Sequence, residues 1–508
     1  MPQASEFQSA TPESHTLIQG AQVLSLESDA TQLTHADILI RGQLIEAVGL
    51  GLRAPENTTI ISANGMLAMP GLINAHFHSP GNLMRGQLDS LPLEIFMLRE
   101  VPPLADQQAS QRLARIRTLL GAAEMLRNGI TSVMDDAYHV PVASADGIDA
   151  ICSAYAEIGL RARVAIDQPN VIEYDKYPYL AQLLPLDLKH KLENLPRQSD
   201  EELSSLYSHL IQKWHGTEGG LIHAAVSCSA PHRVTPRYLE RLNQLSIDHQ
   251  LPFNMHILET RLQRVFGQEK LGQSLVQYAA AHGILHKHAV VIHAIWVDAQ
   301  DIATLAKNQV MIAHNPICNL RLGSGIAPFR KWRDAGCRVC LGTDEVVADD
   351  RINMFDAMKM AGLIHNLADP DWHTWPTAKE ILNLTIRGGA DALGMSDSIG
   401  RITPGYQADV ILLDLDQYSF TPINDICRQL VYSESGQAVE HVFVAGKHIV
   451  KNRAITTLNE TALRSEAREL MSELMNPADE SVVALETYYR EMVLKAHAAL
   501  RASNLFPQ

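Results

Sequence analysis

Eight short apolar runs, separated by segments of helical periodicity, constrain this chain more than any other feature. The runs are Leu72–His78, Ile130–Asp135, Leu160–Asp167, Leu221–Ser227, Phe253–Leu258, Ala289–Ile295, Val310–Ala313 and Arg338–Thr343, and each reads as a buried strand. Between them, stretches such as Gln111–Asn128, Arg237–His249, Gly272–His282 and Asp298–Lys307 carry the spacing of amphipathic helices. Strand and helix alternating eight times predicts an α/β protein built on a (β/α)8 TIM-like barrel. In that architecture reactive groups sit where strands end, and the ends here hold His76 and His78, Asp135 and Asp136, Asp167, Cys228, His256, His293, His314 and Asp344.

The flanks follow another rhythm. Short β-type runs at Asp37–Ile40 and Ile45–Val48, with turn signals between them, are matched late in the chain by Ala408–Leu413 and Val442–Val444. The expected organisation is a small β-sandwich formed from both chain ends (1–68 and 399–457), a metal-binding barrel over 69–398, and C-terminal helices over 458–508. The long segment 170–216 exceeds an ordinary barrel connection, and reads equally as a cover over the site or as a surface helical hairpin.

Composition narrows the partners. Among 508 residues, 42 basic and 57 acidic side chains give a net charge of −15, which argues against nucleic acid or an anionic membrane and suits a small neutral or cationic substrate. The first thirty residues lack a signal-peptide pattern and no apolar run has the length of a membrane span, so a cytoplasmic location is expected. Six scattered cysteines do not form a disulfide framework, and Cys337 and Cys340 read as structural thiols in a strand.

His76 and His78 lie two residues apart, so in a strand both point to one side. Alone, the pair reads equally as metal ligands or as core histidines. His256 at the end of the fifth run and Asp344 at the end of the eighth complete a set of three imidazoles and a carboxylate, suited to Zn²⁺ or Fe²⁺ with one position open to water. Water bound there loses its proton near neutral pH, so hydrolysis is the natural chemistry. Glu259 reads as a proton shuttle or an exposed loop glutamate. His293 reads as a polarising residue or a core histidine. His286 and His288, a second pair of the same spacing, fall in a polar connection and are expected to bind nothing.

Five blocks bring a family into view: Met69 to His78, His256 to Glu259, His293-Ala294-Ile295-Trp296, Ala313-His314-Asn315-Pro316 with Asn319 to Gly325, and Leu341-Gly342-Thr343-Asp344. They resemble the metal-dependent amidohydrolase superfamily, in family order over roughly 60–415, and most of all its branch of S-adenosylhomocysteine and guanine deaminases and triazine hydrolases. The resemblance implies one divalent ion, Zn²⁺ ahead of Fe²⁺, held by His76, His78, His256 and Asp344. It implies Glu259, His293 and Asp344 as catalytic residues that move protons and polarise the substrate, and a homodimer or higher homo-oligomer. No lysine ends the fourth strand, so a single ion is expected. The implied reaction is deamination of an amino-substituted N-heterocycle; the same site also suits an amide, a urea-type C–N bond or the C–Cl bond of a triazine, and an inactive binding protein on this fold is a distant alternative. Glu345, Asp349 and Asp350 depart from the family pattern and read as ion-pairing groups or as a site for an amino or guanidinium-like group.

Overall fold

The computed structural model describes residues 14–26, 32–104, 110–368, 370–474 and 480–503. Five early strands, β1 (His15–Ser25), β2 (Gln32–Arg41), β3 (Leu44–Gly49), β4 (Thr59–Ser62) and β5 (Met66–Pro70), join four late ones, β15 (Val410–Asp414), β16 (Val439–Val444), β17 (Lys447–Lys451) and β18 (Ala454–Ile455). All nine form one sheet, with the early and late halves joined where β5 pairs antiparallel with β15, Pro70 opposite Val410 and Met66 opposite Asp414. Side chains of alternate residues gather on one side as Ile18, Ile38, Ile45, Ala68, Val410, Leu412 and Phe443.

Between these halves the chain builds parallel strands: β6 (Leu72–Phe77), β7 (Ile130–Tyr138), β8 (Arg161–Asp167) and β9 (Ile222–Ala224) in one sheet, then β10 (Val226–Ser227), β11 (Phe253–Ile257), β12 (Ala289–His293), β13 (Met311–His314) and β14 (Arg338–Leu341) in another. The fourth run of the sequence is thus split at Ala225. Its amide donates to Val164 of β8 at 2.9 Å, while Val226 donates to Pro252, just before β11, at 2.8 Å. At the far edges, the Asp344 amide donates to the His76 carbonyl at 3.0 Å. Small and medium side chains from both sheets, among them Ile73, Ala75, Met134, Ala165, Ala225, Ile292, Ala313 and Cys340, pack into a single cluster. That cluster lies beneath the strand ends where the polar residues stand.

Helices fill the connections, and local chemistry sets their starts. Ser199 with Glu202, Asp298 with Asp301, and Thr377 with Glu380 form reciprocal caps, each satisfying backbone donors that the first helical turn leaves free. The helix read over Gly272–His282 begins later, at Leu275, because Ser274 caps it by accepting from Gln277 N–H. Segment 170–216 is mostly helical, with helices Leu180–Leu183, Leu186–Glu193 and Asp200–Trp214. The first two of these pack Leu180, Leu184, Leu188 and Leu192 against Leu485, Tyr489, Met492 and Ala496 of the last helix, Glu480–Ala502, and against Ile95 and Leu98. The tail is therefore packed on the insertion rather than standing free.

One buried ion pair ties the two parts of the molecule together. Nε and Nη2 of Arg161, on β8, donate side by side to the Asp409 carboxylate at 3.1 Å, and Asp409 also accepts the Ala445 amide at 2.7 Å. The six cysteines are free thiols; burial pushes Cys340 and Cys337 up, and their sulfurs face backbone carbonyls. Among the described residues no helix is long and apolar enough to cross a membrane.

Candidate metal centre

The strand ends deliver their polar residues to one place. His76 and His78 leave β6 on the same side, with ring centroids 4.7 Å apart, and the His256 ring from β11 lies 5.0 Å from His76 and 5.3 Å from His78. Asp344 Oδ1 sits 3.6 Å from Nε2 of both His76 and His78. Its Oδ2 is 3.5 Å from His293 Nε2, which is itself 3.6 Å from Glu259 Oε2. All six residues are more than nine-tenths withdrawn from solvent. Of the two readings of Glu259, the exposed loop glutamate does not hold, since the residue is buried.

Backbone strain aims these groups. Ser229, Leu258, His293, Ala294 and Asp344 all have positive φ, between 46° and 71°, where a side chain costs roughly 1–2 kcal/mol relative to glycine. At Ser229 the twist turns its carbonyl onto His256, accepting both the backbone N–H and Nδ1–H at 2.7 Å. His78 Nδ1–H donates in the same way to the Asp136 carbonyl at 2.5 Å, and His293 Nδ1–H to Asn319 Oδ1 at 2.8 Å. With Nδ1 committed as donor, each ring presents Nε2 to the centre as a lone pair or a second N–H. Close approach matters too: a Cβ on Gly342 would stand 2.8 Å from the His76 carbonyl and 2.6 Å from Asn315 Oδ1, so only glycine lets β14 reach β6 here.

The electrostatics favour a cation. Burial lowers the affinity of His76, His78 and His256 for protons, leaving neutral rings with lone pairs to give. Burial also pushes Asp344 upward, but the surrounding imidazoles, His76 foremost, outweigh it and hold its carboxyl well below the usual range. Neither nitrogen of His76, wholly buried, has a hydrogen-bond partner. An anionic oxygen ringed by imidazole nitrogens, those of His76 without any hydrogen-bond partner, fits a divalent ion, and His76, His78 and Asp344 bring their ligand atoms within 4.8 Å of one another, as do His76, His256 and His293. Burial raises Glu259 to about 7. Its neighbours are Ser324 Oγ and the Gln263 side chain, which accepts the Glu259 amide at 2.9 Å.

Other residues singled out from strand ends lie elsewhere. His314 turns from the centre and places Nε2 3.0 Å from His365 Nε2, beside Phe329 and Trp332. Asp135 anchors the turn after His78 by accepting Ser79 N–H and Tyr155 O–H, each at 2.9 Å. Cys228 is buried against the Asn254 carbonyl. Asp136 and Asp167 form a third close group with His78, whose Nδ1 pairs with the Asp136 carbonyl. His286 bonds Asn243 at 3.1 Å, away from the centre. Asp350 pairs with Arg321 at 2.9 Å, whereas Glu345 has no ion pair among the described residues. A cavity of about 480 Å³ opens above the cluster, and residues of segment 170–216, including Glu173, Tyr177 and Leu192, form part of its wall. Glu100 and Tyr138 also line it; Glu100 ends the helix Leu93–Glu100, and as a charge at a helix end it carries no sequence signal of such a position.

Known proteins resemble this chain in sequence and fold. The profile of the amidohydrolase family matches residues 67–449. A 5-methylthioadenosine/S-adenosylhomocysteine deaminase of Syntrophomonas wolfei is 28% identical over 462 residues, 90% of this chain and 99% of its own. Among solved structures, the zinc complex of atrazine chlorohydrolase from Arthrobacter aurescens superimposes with a TM-score of 0.80 at 26% identity, covering 90% of this chain and all 100% of that one. A zinc-bound adenosine deaminase from Xanthomonas campestris gives 0.78 at 25% identity, covering 91% and 99%. The chain has the mixed α/β, TIM-barrel-type fold of these proteins.

Proposed function

We propose that this chain, which belongs to the amidohydrolase family, is a metal-dependent hydrolase of C–N bonds other than peptide bonds, and that its reaction is deamination of an amino-substituted N-heterocycle. The observation that carries the reading is the convergence of His76, His78, His256 and Asp344 beside a buried Glu259 and His293 at the floor of one cavity. The names of the relatives, deaminases of adenosine derivatives, support the same bond.

In this reading His76, His78, His256 and Asp344 hold one divalent ion, Zn²⁺ in preference to Fe²⁺, in keeping with the zinc in both structural neighbours. The ion, when bound, supplies a Lewis acid that makes water a usable nucleophile near neutral pH. Asp344, kept ionised among the imidazoles, takes the proton that the attacking water gives up. Glu259, half protonated near pH 7, delivers a proton to a ring nitrogen and so lets the amidine-like carbon accept the new C–O bond. His293, oriented by Asn319, steadies the oxygen of the tetrahedral adduct from between the two carboxyl groups. The C–N bond then breaks as Asp344 passes its proton to the amino group, which leaves as ammonia, and the hydroxyl proton of the adduct returns to Glu259. The closed eight-stranded barrel over 69–398, with a two-part β domain around it, belongs to the same proposal; the Asp344-to-His76 backbone bond and the shared inner cluster support it.

The atrazine chlorohydrolase neighbour favours a second reading, in which the same groups cleave a C–Cl bond or release an amine. Metal analysis of the purified protein, with parallel detection of ammonia, chloride and amines over aminated and chlorinated heterocycles, tests both. Activity without stoichiometric metal, or full activity after Glu259→Gln, overturns the mechanism.

A further inference from the structure

The starts of the parallel strands, at the far end from the metal centre, carry a buried cation that no carboxylate of the described residues neutralises. Arg163 lies on β8, four residues before Asp167, and so about 13 Å below the cavity that Asp167 lines. It is 6% exposed and shares the inner face of its strand with Ala165, a member of the central cluster. The register of β8 and β9 sets His223 beside it.

The neighbouring arginines are matched. Nε and Nη2 of Arg161, two residues earlier, hold Asp409, and Arg338 pairs with Asp391 at 2.7 Å. Arg163 donates only through Nη1, to the Ala224 carbonyl at 3.1 Å. Its Nε is buried without a partner, and its Nη2 has none among the described residues. The edge with which Arg161 grips a carboxylate is therefore free on Arg163. Burial, then Arg161, push the Arg163 guanidinium down to about 10, and no carboxylate offsets them. An unpaired charge inside a protein is costly, and such charges are normally met by an opposite one.

Two further observations are independent of that charge. A Cβ on Gly394 would stand 3.9 Å from Arg163 Nη2 and within 4 Å of nothing else beyond the adjoining residues, so this exposed glycine leaves the guanidinium an open approach. His223 Nε2–H donates to the Gly220 carbonyl at 3.0 Å, which leaves Nδ1 as a buried lone pair without a donor. His215, its ring 5.3 Å from that of His223, accepts the Ala224 amide at Nδ1 and so keeps Nε2–H to give. Arg163 acts on both imidazoles, and no carboxylate is among the leading influences on either.

We propose that this end of the strands is a binding site for a phosphate group, held by the Nε–Nη2 edge of Arg163 with His215 and His223 beside it, and separate from the metal centre. Hydrogen phosphate carries both kinds of partner that are missing: two oxygens for the guanidinium fork and a P–OH for the lone pair of His223. A carboxylate supplies the first and lacks the second. The inference does not draw on the hydrolytic reading, so the two stand or fall apart.

Calorimetric titration of zinc-loaded, full-length protein with inorganic phosphate, at constant ionic strength, tests it. One equivalent is expected to bind with a Kd below about 1 mM and at least tenfold more tightly than acetate. Arg163→Met, and Arg163→Lys, which keeps the charge but loses the fork, each weaken it tenfold or more. Phosphate on the metal ion survives both substitutions and is counted apart. Circular dichroism and zinc content check that each variant is folded; should the arginine variants fail there, His215→Asn, which keeps an acceptor for the Ala224 amide but lacks the Nε2–H donor, decides by a threefold or greater weakening. A Kd above about 1 mM marks an adventitious ion only and overturns the proposal. Equal affinity for acetate, or phosphate binding that the folded variants keep in full, overturns it as well.

Discussion

Asp349 stands on the turn that follows Asp344, and its neutralisation makes the sharpest stability prediction. Its Oδ2 is buried without a donor, and burial first, then Asp356, lift its carboxyl to about 7; Arg351 opposes but is engaged by Asp356 at 2.9 Å. In the unfolded chain the group returns to the ordinary aspartate value of about 3.8. A carboxyl whose folded value is raised takes up protons on folding, so its cost is absent below about 4 and fully present above about 7. The three-unit difference corresponds to at most about 4 kcal/mol, and about 2 kcal/mol after discounting for the side chain's residual contact with water. Asp349→Asn is therefore expected to stabilise the protein at pH 8 by about 2 kcal/mol, equivalent to roughly 2 °C in Tm for a chain of this length. At pH 5 the gain falls by more than half. Differential scanning fluorimetry of both proteins at the two pH values measures it, and because Asp349 does not line the cavity the assay is independent of activity. An equal shift at both pH values, or a loss at pH 8, refutes the reasoning.

Other perturbations follow from the same geometry. Glu259→Gln removes a buried proton carrier and should lower kcat by about 10²–10⁴, with metal content unchanged by elemental analysis. Gly342→Ala drives a Cβ into the His76 carbonyl and Asn315; bound metal should fall below half of one equivalent while the circular dichroism spectrum persists. Asp409→Ala strands the buried Arg161 guanidinium and should cost about 3–5 kcal/mol, read as a lower urea midpoint. Chelation should abolish ammonia release, and restoring Zn²⁺ should recover it; activity that survives chelation contradicts the proposed ligand set.

The sequence made the centre legible because strand geometry is periodic. Residues two apart share a face, so His76 and His78 announced themselves, and parallel strands put their last residues at one end, so His256, His293 and Asp344 followed. The structure brings these side chains within a few ångströms of one another. What stayed hidden depends on contacts between distant segments. Nothing local distinguishes Glu100 from any charge closing an amphipathic helix, yet it lies at the cavity wall because Glu345, 245 positions later, and Tyr138 meet it there. The packing of the last helix on segment 170–216 is equally non-local, fixed by complementary apolar faces that each element shows alone only as helical spacing. Even Ala225, where the fourth strand breaks, is an ordinary small residue until Val164 and Pro252 divide its neighbourhood.

Residues with positive φ were beyond any reading of periodicity, and they bear most directly on function. Serine, leucine and alanine have little preference for that region, and histidine and aspartate, though enriched there, adopt it too seldom to mark the five positions in advance. Each conformation is imposed by what its neighbours hold: Ser229 by the two hydrogen bonds its carbonyl accepts from His256, and Asp344 by the amide it gives to His76. The cost of several such residues, roughly 1–2 kcal/mol each, is borne by the packed strands beneath. It goes into orientation, since a ring fixed through Nδ1 cannot turn its Nε2 from the centre. The same strained turn at Asp344 sends the following side chain, Glu345, along the cavity wall toward Glu100. The device that points these side chains inward therefore also directs Glu345, and a change that relaxes the backbone at Asp344 is expected to disturb the whole cluster.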